Sequence, residues 1–282
     1  MQAYDKIKCT RRAGRATAAD YIANIIHDFT ELHGDRRFGD DPAVIGGVGF
    51  LSGIPVTVIG IEKGHALDER MRRNFGCVSP EGYRKALRLM HEAEKFGRPV
   101  ICIVDTQGAS CGKGAEERGE GQSIAENLYE MMTLKVPVVT LMVGEGSSGG
   151  ALALAVADRI WMMENAYFTV VSPEACASIL YKDSSRAPDA AESLKLDAEN
   201  LIRLGIIERI IDEPADFNDP QATAFFFASL DNSLTYEIKG LLKIDTETLL
   251  AERYEKYRKI GRCATEGVPR PKVKPLFRRD KR

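Results

Sequence analysis

One pattern recurs in mid-chain and limits what the chain can fold into: an apolar strand, a glycine-rich loop and a helix, twice in succession. In the first copy, strand Val100–Val104 leads into DTQGASCGKGAEERGEG and a helix predicted over Ser123–Leu134. In the second, strand Val136–Val143 leads into GEGSSGG, residues Gly144–Gly150, and a helix predicted over Ala151–Ala157. Strands are predicted at Arg159–Met163, Phe168–Val171 and Ile206–Ile211, and helices at about 174–181, 188–204 and 220–230. Strands alternating with helices in this way imply α/β layering.

Upstream, Ile22, Ile25, Ile26, Phe29 and Leu32 recur at helical spacing and predict a helix over 16–33. The apolar runs Ala43–Phe50 and Val56–Ile61 flank Ser52-Gly53-Ile54-Pro55 and read as a strand pair. A helix is predicted from Pro80, suited to a first-turn position, to Phe96, with Gly97 just past its end. A last helix is predicted over 241–261, with Leu241, Leu242, Leu249, Leu250 and Tyr254 as its apolar face. No linker divides the region between, so the expected organisation is an N-terminal extension (1–15), one domain (16–261) and a tail (262–282).

Composition narrows the function classes. With 44% hydrophobic residues and a net charge of −2, the 282-residue chain has material for a core and lacks the signature of disorder. No apolar run reaches the roughly 18 residues of a membrane span, and the first residues lack the apolar centre of a secretory signal. A cytoplasmic location is expected. The near-neutral total hides an asymmetry: residues 262–282 hold eight basic and two acidic residues, +6, which leaves −8 on the remaining 261. This Pro- and base-rich tail is expected to be mobile. Six cysteines without a CxxC pair read as reduced thiols rather than as disulfides or a zinc site.

The Gly144–Gly150 run is the strongest local feature, and four readings compete for it. Glycine here can simply permit tight strand–helix packing. Gly144-x-Gly146-x-x-Gly149 also matches a dinucleotide fingerprint, with Glu164 twenty residues after Gly144. Gly146-Ser147-Ser148-Gly149-Gly150 matches the nucleophile elbow of a serine hydrolase, but His27, His33, His65 and His91 all lie upstream, which excludes the order Ser, Asp, His. The fourth reading is an oxyanion hole built from backbone N–H groups at Gly149 and Gly150, which needs no catalytic side chain.

Elsewhere the signals are weaker. A phosphate loop at Gly112-Lys113 fails because Gln107 stands where its first glycine belongs and Gly114 where Ser or Thr is required. Glu116, Glu117 and Arg118 read as an acid–base group or, more simply, as a solvated helix start. Arg70, Arg72, Arg73, Arg84, Lys85 and Arg88 read as a solvated basic face or a phosphate contact. The histidines are expected at the surface or in structural roles, and no metal-ligand spacing is present.

Five segments in this order carry a resemblance: HGDRRFGDDPAVIGGVG, RRNFGCVSPEGYRKALRLM, VDTQGASCGKGAEERGEG, GEGSSGGALALAVADRIWMMENAYFTVVSPEACASIL and LKLDAENLIRLGIIERIIDEP. Together they resemble the α subunits of bacterial acetyl-CoA carboxylase carboxyltransferase, over roughly residues 3–261. The resemblance implies a crotonase-like (ClpP/crotonase) α/β fold of repeated ββα units with flanking helices. It implies transfer of a carboxyl group from carboxybiotin, borne on a biotin carboxyl carrier protein, to acetyl-CoA, giving malonyl-CoA for fatty-acid biosynthesis. It further implies an α2β2 assembly whose β subunit carries the zinc, with biotin carboxylase in the larger complex. By motif, Gly149 and Gly150 are the implied oxyanion donors, and Gly108, Ala109, Gly112, Gly114, Gly146 and Ser148 the implied carboxybiotin pocket. The chain departs from the family pattern at Gln107, Ser110, Cys111 and Ser147, and its Ile61-Glu62-Lys63-Gly64-His65 replaces a more basic stretch. Such departures fit a subunit of another biotin-dependent carboxylase or decarboxylase, or a catalytically decayed scaffolding paralogue. A nicotinamide oxidoreductase is the option from another class.

Overall fold

A computed structural model describes residues 3–261 of the protein; the basic tail, with its expected mobility, lies outside the described residues. The chain opens with helices α1 (Ala3–Thr10) and α2 (Ala18–Ile25), strand β1 (His27–Glu31) and the hairpin β2 (Val44–Leu51) and β3 (Ile54–Ile61). Helices α3 (Leu67–Arg72) and α4 (Pro80–Phe96) lead to strand β4 (Val100–Thr106), helices α5 (Lys113–Glu117) and α6 (Glu120–Thr133), strand β5 (Val138–Ser147) and the short helix α7 (Ser148–Leu152). Strands β6 (Arg159–Met163) and β7 (Tyr167–Thr169) precede helices α8 (Pro173–Tyr181), α9 (Ala187–Leu194) and α10 (Ala198–Arg203). Strand β8 (Arg209–Ile211) and helices α11 (Pro220–Leu241) and α12 (Thr246–Lys259) complete the fold.

The strands form one sheet in the order β1-β2-β3-β4-β5-β6-β8, with β7 also paired to β5. The hairpin side is antiparallel, whereas every pairing from β3 onward is parallel. Strands β4 and β5 are buried along their whole length. Their unbroken apolar runs have this cause: a parallel strand covered on both faces has no solvent side to alternate toward. Helices press on the two faces through gaps left by glycine. A Cβ at Gly46 would stand 2.4 Å from Leu89 Cδ1 of α4, and one at Gly60 would stand 2.8 Å from Ala18 Cβ of α2. Gly46 pairs with Ile59 and Gly60 with Ile45, so the two glycines open opposite faces.

Helix α4 has the predicted limits, with Pro80 in its first turn and Gly97 in the left-handed conformation at φ 67°. Four other expectations need correction. The helix predicted over 16–33 ends at Ile25; Ile26 turns extended, and His27–Glu31 becomes an edge strand on β2. The open ladder of β2 overrides a periodicity that Phe29 and Leu32 satisfy equally well from a strand edge. The helix predicted over 188–204 is two helices, broken where Lys195 adopts φ 50° and Asp197 caps α10 by accepting from Asn200 N at 3.0 Å. Helix α11 runs eleven residues past the predicted end at 230, and α12 restarts after Asp245, which accepts from Thr248 N at 3.0 Å. On α12 Leu249 is buried as expected, but so is Arg253, 1% exposed, whereas Tyr254 points outward at 54%. The Arg253 guanidinium donates to both Asp158 oxygens at 2.8 and 2.7 Å, and to the carbonyls of Met131, Leu134 and Val136. It pins the last helix to the entry of β5.

Candidate active site

The glycine run is less of a loop than its composition suggests. Strand β5 continues through Ser147, with Glu145, Gly146 and Ser147 paired to Tyr167, Phe168 and Thr169 of β7 and Gly146 also paired to Thr106 of β4. Ser147 has φ −113°, a value open to any residue, so a serine fits here without strain. Ser148 then takes φ 59°, a strained value for a residue with a side chain, and the chain turns into α7. The N–H groups of Ser148, Gly149 and Gly150 open this helix and have no carbonyl one turn back to bond. They are the donors of the turn.

Gly150 is clamped. A Cβ there would stand 2.5 Å from Ala109 N, 2.8 Å from the Gly108 carbonyl carbon and 3.0 Å from the Tyr83 oxygen. The Tyr83 hydroxyl donates to Gly150 O at 3.2 Å. Gly149 has room: its nearest would-be contact is Ile124 at 3.4 Å. A cavity flanks each side of the turn. An apolar one of about 270 Å³ reaches Ser148 and Gly149 and is walled by Leu152, Phe168, Leu201 and Ile206. A larger polar one of about 640 Å³ is lined by Gly108 and Ala109 together with Lys63, Asp105, Glu145 and Arg11.

Those four charged residues form a half-sealed network at the ends of β3, β4 and β5. Lys63 Nζ lies 2.6 Å from Asp105 Oδ1 and 2.7 Å from Glu145 Oε1. Glu145 also accepts from Tyr167 Oη at 2.8 Å and from Arg11 Nε at 3.0 Å, and its N–H donates to Asp105 at 2.7 Å. Burial pulls the Lys63 ammonium down, but Asp105 and Glu145 outweigh it and hold the group above its ordinary value. Burial pushes Glu145 up, and Lys63 and Arg11 more than reverse that. The network ties the strand ends together and fixes the loops that follow them. It contains no serine or cysteine nucleophile bonded to a base.

Residues 1–261 match the family described as "Acetyl co-enzyme A carboxylase carboxyltransferase-like". The chain belongs to this family. It is 53% identical over 262 residues to the acetyl-coenzyme A carboxylase carboxyl transferase subunit alpha of Ruminiclostridium cellulolyticum, covering 93% of this chain and 98% of that one. It is 50% identical over 261 residues to the subunit alpha of Listeria welshimeri, covering 93% and 82%. Against the fused "subunits beta/alpha" polypeptide of Natranaerobius thermophilus, identity is 54% over 261 residues; the match covers 92% of this chain and spans only 43% of that one. Among solved structures, a transcarboxylase 12S hexamer superposes with a TM-score of 0.62 at 19% identity over 78% of this chain and 42% of that one. A Pseudomonas malonate decarboxylase hetero-tetramer in complex with coenzyme A gives 0.62 at 19% over 79% and 88%. The fold is the crotonase-like α/β fold implied by the resemblance.

Within this carboxyltransferase chain the implied site residues separate. Gly108, Ala109, Gly149 and Gly150 meet at the turn, with Ser148 exposed beside them. Gly146 is buried in β5, where a Cβ would stand 2.7 Å from Tyr167 O. Gly112 and Gly114 are exposed at the start of α5. Several competing readings end here. Gly144 and Gly146 belong to a strand rather than to a dinucleotide loop, and Glu164 accepts from Glu213 N at 2.9 Å. All four histidines are exposed; His33 and His65 pair with Asp40 and Asp20. The basic segment is neither a solvated face nor a phosphate site at its centre. Arg84 donates to Asp35 at 2.7 Å, and the fully buried Lys85 donates to Val44 O at 2.7 Å. Arg118 pairs with Glu81 and belongs to no acid–base group with Glu116 and Glu117, which are exposed. Glu62 accepts from Ala19 N and Gly64 N, both at 2.6 Å, and serves as a structural anchor.

Sequence reasoning gave no roles to Lys63, Glu145, Arg11 or Tyr83. Their partners lie 22 to 163 residues away in the chain, and no local spacing encodes such a contact. The one available signal was Asp105 and Glu145, each an acid at the end of an apolar strand.

Proposed function

We propose that this chain is the α subunit of acetyl-CoA carboxylase carboxyltransferase, moving the carboxyl group of carboxybiotin to acetyl-CoA to give malonyl-CoA. The turn at Ser148–Gly150 carries this reading. It presents backbone donors beside an open cavity, and no nucleophile–base pair accompanies it. Biotin, delivered on a carrier protein, supplies the transferable carboxyl group. Gly149 has space for a planar ureido group to approach, and the apolar walls of Leu152 and Phe168 suit the remainder of such a ring system. The N–H groups of Gly149 and Gly150 stabilise negative charge that develops on an oxygen at the turn, and each such donor is worth on the order of 10²–10³ in rate. Gly108 and Ala109 hold the turn from behind. Gly146 and the exposed Gly112 and Gly114 shape the strand end and the loop rather than touching the ligand.

In this reading the working unit is an α2β2 complex. The fused beta/alpha relatives support a β partner, which would hold the zinc and most of the acyl-CoA site. The carboxyltransferase domain is residues 16–261. Among the described residues no helix is long and apolar enough to cross a membrane.

The test is co-expression with a cognate β subunit and assay of malonyl-CoA decarboxylation with a soluble biotin analogue as acceptor. Turnover with malonyl-CoA in preference to other carboxylated acyl-CoA esters supports the assignment. A well-assembled complex without turnover shows a decayed scaffold. A preference for another ester moves the chain to a different biotin-dependent carboxylase or decarboxylase.

A further inference from the structure

The charged cavity beside the turn holds cations that its own acids do not use. Five cationic side chains line it: Arg11, Arg12, Arg15, Lys63 and Arg70. Three are spent, Lys63 on Asp105 and Glu145, Arg11 on Glu145 and Glu174, and Arg15 on Glu213. Among the described residues no acid pairs with Arg12 or Arg70. Arg12 is exposed. Arg70 is half-buried and donates from Nε to Gly64 O at 3.1 Å, which steadies the guanidinium and leaves its two terminal nitrogens uncommitted.

The segment that carries Arg70 is strained. Helix α3 buries none of its own residues, and the chain that follows takes left-handed values at Asn74 and Phe75, φ 48° and 54°. For a bulky residue such as Phe this is a true outlier, and strain of this kind persists at ligand clamps. Gly76 presses the strained turn onto the end of β4, where a Cβ would stand 2.9 Å from Asp105 O. The Phe75 ring, 42% exposed, is thereby held on the wall of the same cavity. At about 640 Å³ that cavity is of the size that takes one small ligand, so a single molecule can reach Arg12, Arg70 and Phe75 together. Guanidinium groups pair with phosphate oxygens, and an aromatic face stacks on a base.

We propose that this cavity binds a nucleotide, with its phosphate on Arg12 and Arg70 and its base stacked on Phe75. The acids Asp105, Glu145 and Glu174 are held by Lys63 and Arg11, so the unspent positive charge belongs to Arg12 and Arg70. Arg70, at the start of the basic segment, is then the phosphate contact that Arg84 and Lys85 are not. The nucleotide end of an acyl-CoA ester and a free nucleotide share this chemistry.

Isothermal titration calorimetry of the full chain, alone and in the α–β complex, tests the site with adenosine 3′,5′-bisphosphate, inorganic phosphate and adenosine as probes. The bisphosphate is expected to bind most tightly of the three, and more weakly as salt rises. Arg12→Gln and Arg70→Gln each weaken it about tenfold, the loss of one charge-assisted hydrogen bond. Phe75→Gly weakens the bisphosphate about tenfold but leaves inorganic phosphate unchanged. Glycine accepts the left-handed backbone, so the Tm of that variant holds or rises. Arg258→Gln, at an exposed position of α12, is without effect. Absence of bisphosphate binding, binding that survives both Arg12→Gln and Arg70→Gln, or an equal loss in Arg258→Gln overturns the proposal.

Turnover of the α–β complex then tells the two sources apart, and this arm alone rests on the function proposed above. If the substrate brings the nucleotide, both arginine variants raise KM for malonyl-CoA about tenfold at constant kcat and leave malonyl-pantetheine unchanged. An unchanged KM for malonyl-CoA beside lost bisphosphate binding identifies a free nucleotide. An inactive complex removes the functional reading and leaves the titrations to decide the site.

Discussion

Replacing Gly150 by alanine tests the turn most directly, because the two adjacent glycines differ in what surrounds them. A Cβ on Gly150 falls 2.5 Å from Ala109 N and 2.8 Å from the Gly108 carbonyl carbon. Both are backbone atoms, so no side-chain rotamer can relieve the overlap. Either residues 108–109 withdraw or the Gly150 peptide rotates. Overpacking of this kind costs about 1–3 kcal/mol, and at about 2–4 °C per kcal/mol for a chain of this size Tm should drop by roughly 2–12 °C. Rotation also takes the N–H off the position where charge develops, so kcat should fall on the order of 10²–10³. Gly149→Ala is the internal control for packing. Its Cβ would be 3.4 Å from Ile124, an ordinary contact, and removing a helical glycine contributes about 0.4–1 kcal/mol through the unfolded chain. Its Tm should therefore hold or rise. Differential scanning calorimetry on both variants, with malonyl-CoA decarboxylation by the assembled complex, separates the effects. A Gly150→Ala protein that melts with the parent and keeps most of its kcat would refute both the clamp and the oxyanion role.

Two further predictions concern the scaffold. Arg253→Met leaves Asp158 buried and charged with three carbonyls stripped of their donor, and should cost about 3–5 kcal/mol in urea unfolding; a loss under 1 kcal/mol would show that the α12 anchor is dispensable. Asp35 accepts from the N–H groups of Arg37, Phe38 and Gly39 and from Arg84, which together overcome burial and lower its carboxyl to about 2. Its folded value is depressed, so its contribution is present above about pH 4 and lost as the pH falls through about 2. Asp35→Asn should therefore be less stable than the parent at pH 6, with the gap closing in acid; a gap that is constant with pH would contradict this.

Much of the fold was legible because its cause is local. Pro80 and Gly97 bracket α4 through backbone conformations that only those residues favour, and the apolar runs of β4 and β6 have one stable use in a covered parallel sheet. What was not legible depends on distance. Helix α1 buries Lys6 and Thr10 together with Ile7, a polar mixture with no apolar stripe to announce it. Composition makes the glycine run look like a loop because it cannot show that β7 arrives to pair with it. The place of Gly149 and Gly150 after an apolar strand marks the turn where a helix opens. The clamp on Gly150 is not legible in the sequence, since Tyr83 and the Gly108–Ala109 backbone come from other turns of the chain.

The contact between the two loops has a consequence for how this sequence can change. Ala109 N and the Gly108 carbonyl touch Gly150 as main-chain atoms, while the Gln107 side chain donates to Cys77 Sγ at 3.3 Å and lines the charged cavity with Cys111, and Ser110 is half-buried. Main-chain atoms are the same in every residue. Substitutions at 107 and 111 therefore alter the wall of the charged cavity without altering the surface on which the turn rests. Adding or deleting one residue between 106 and 111 would do the reverse. Length, rather than identity, is the property this stretch has to keep.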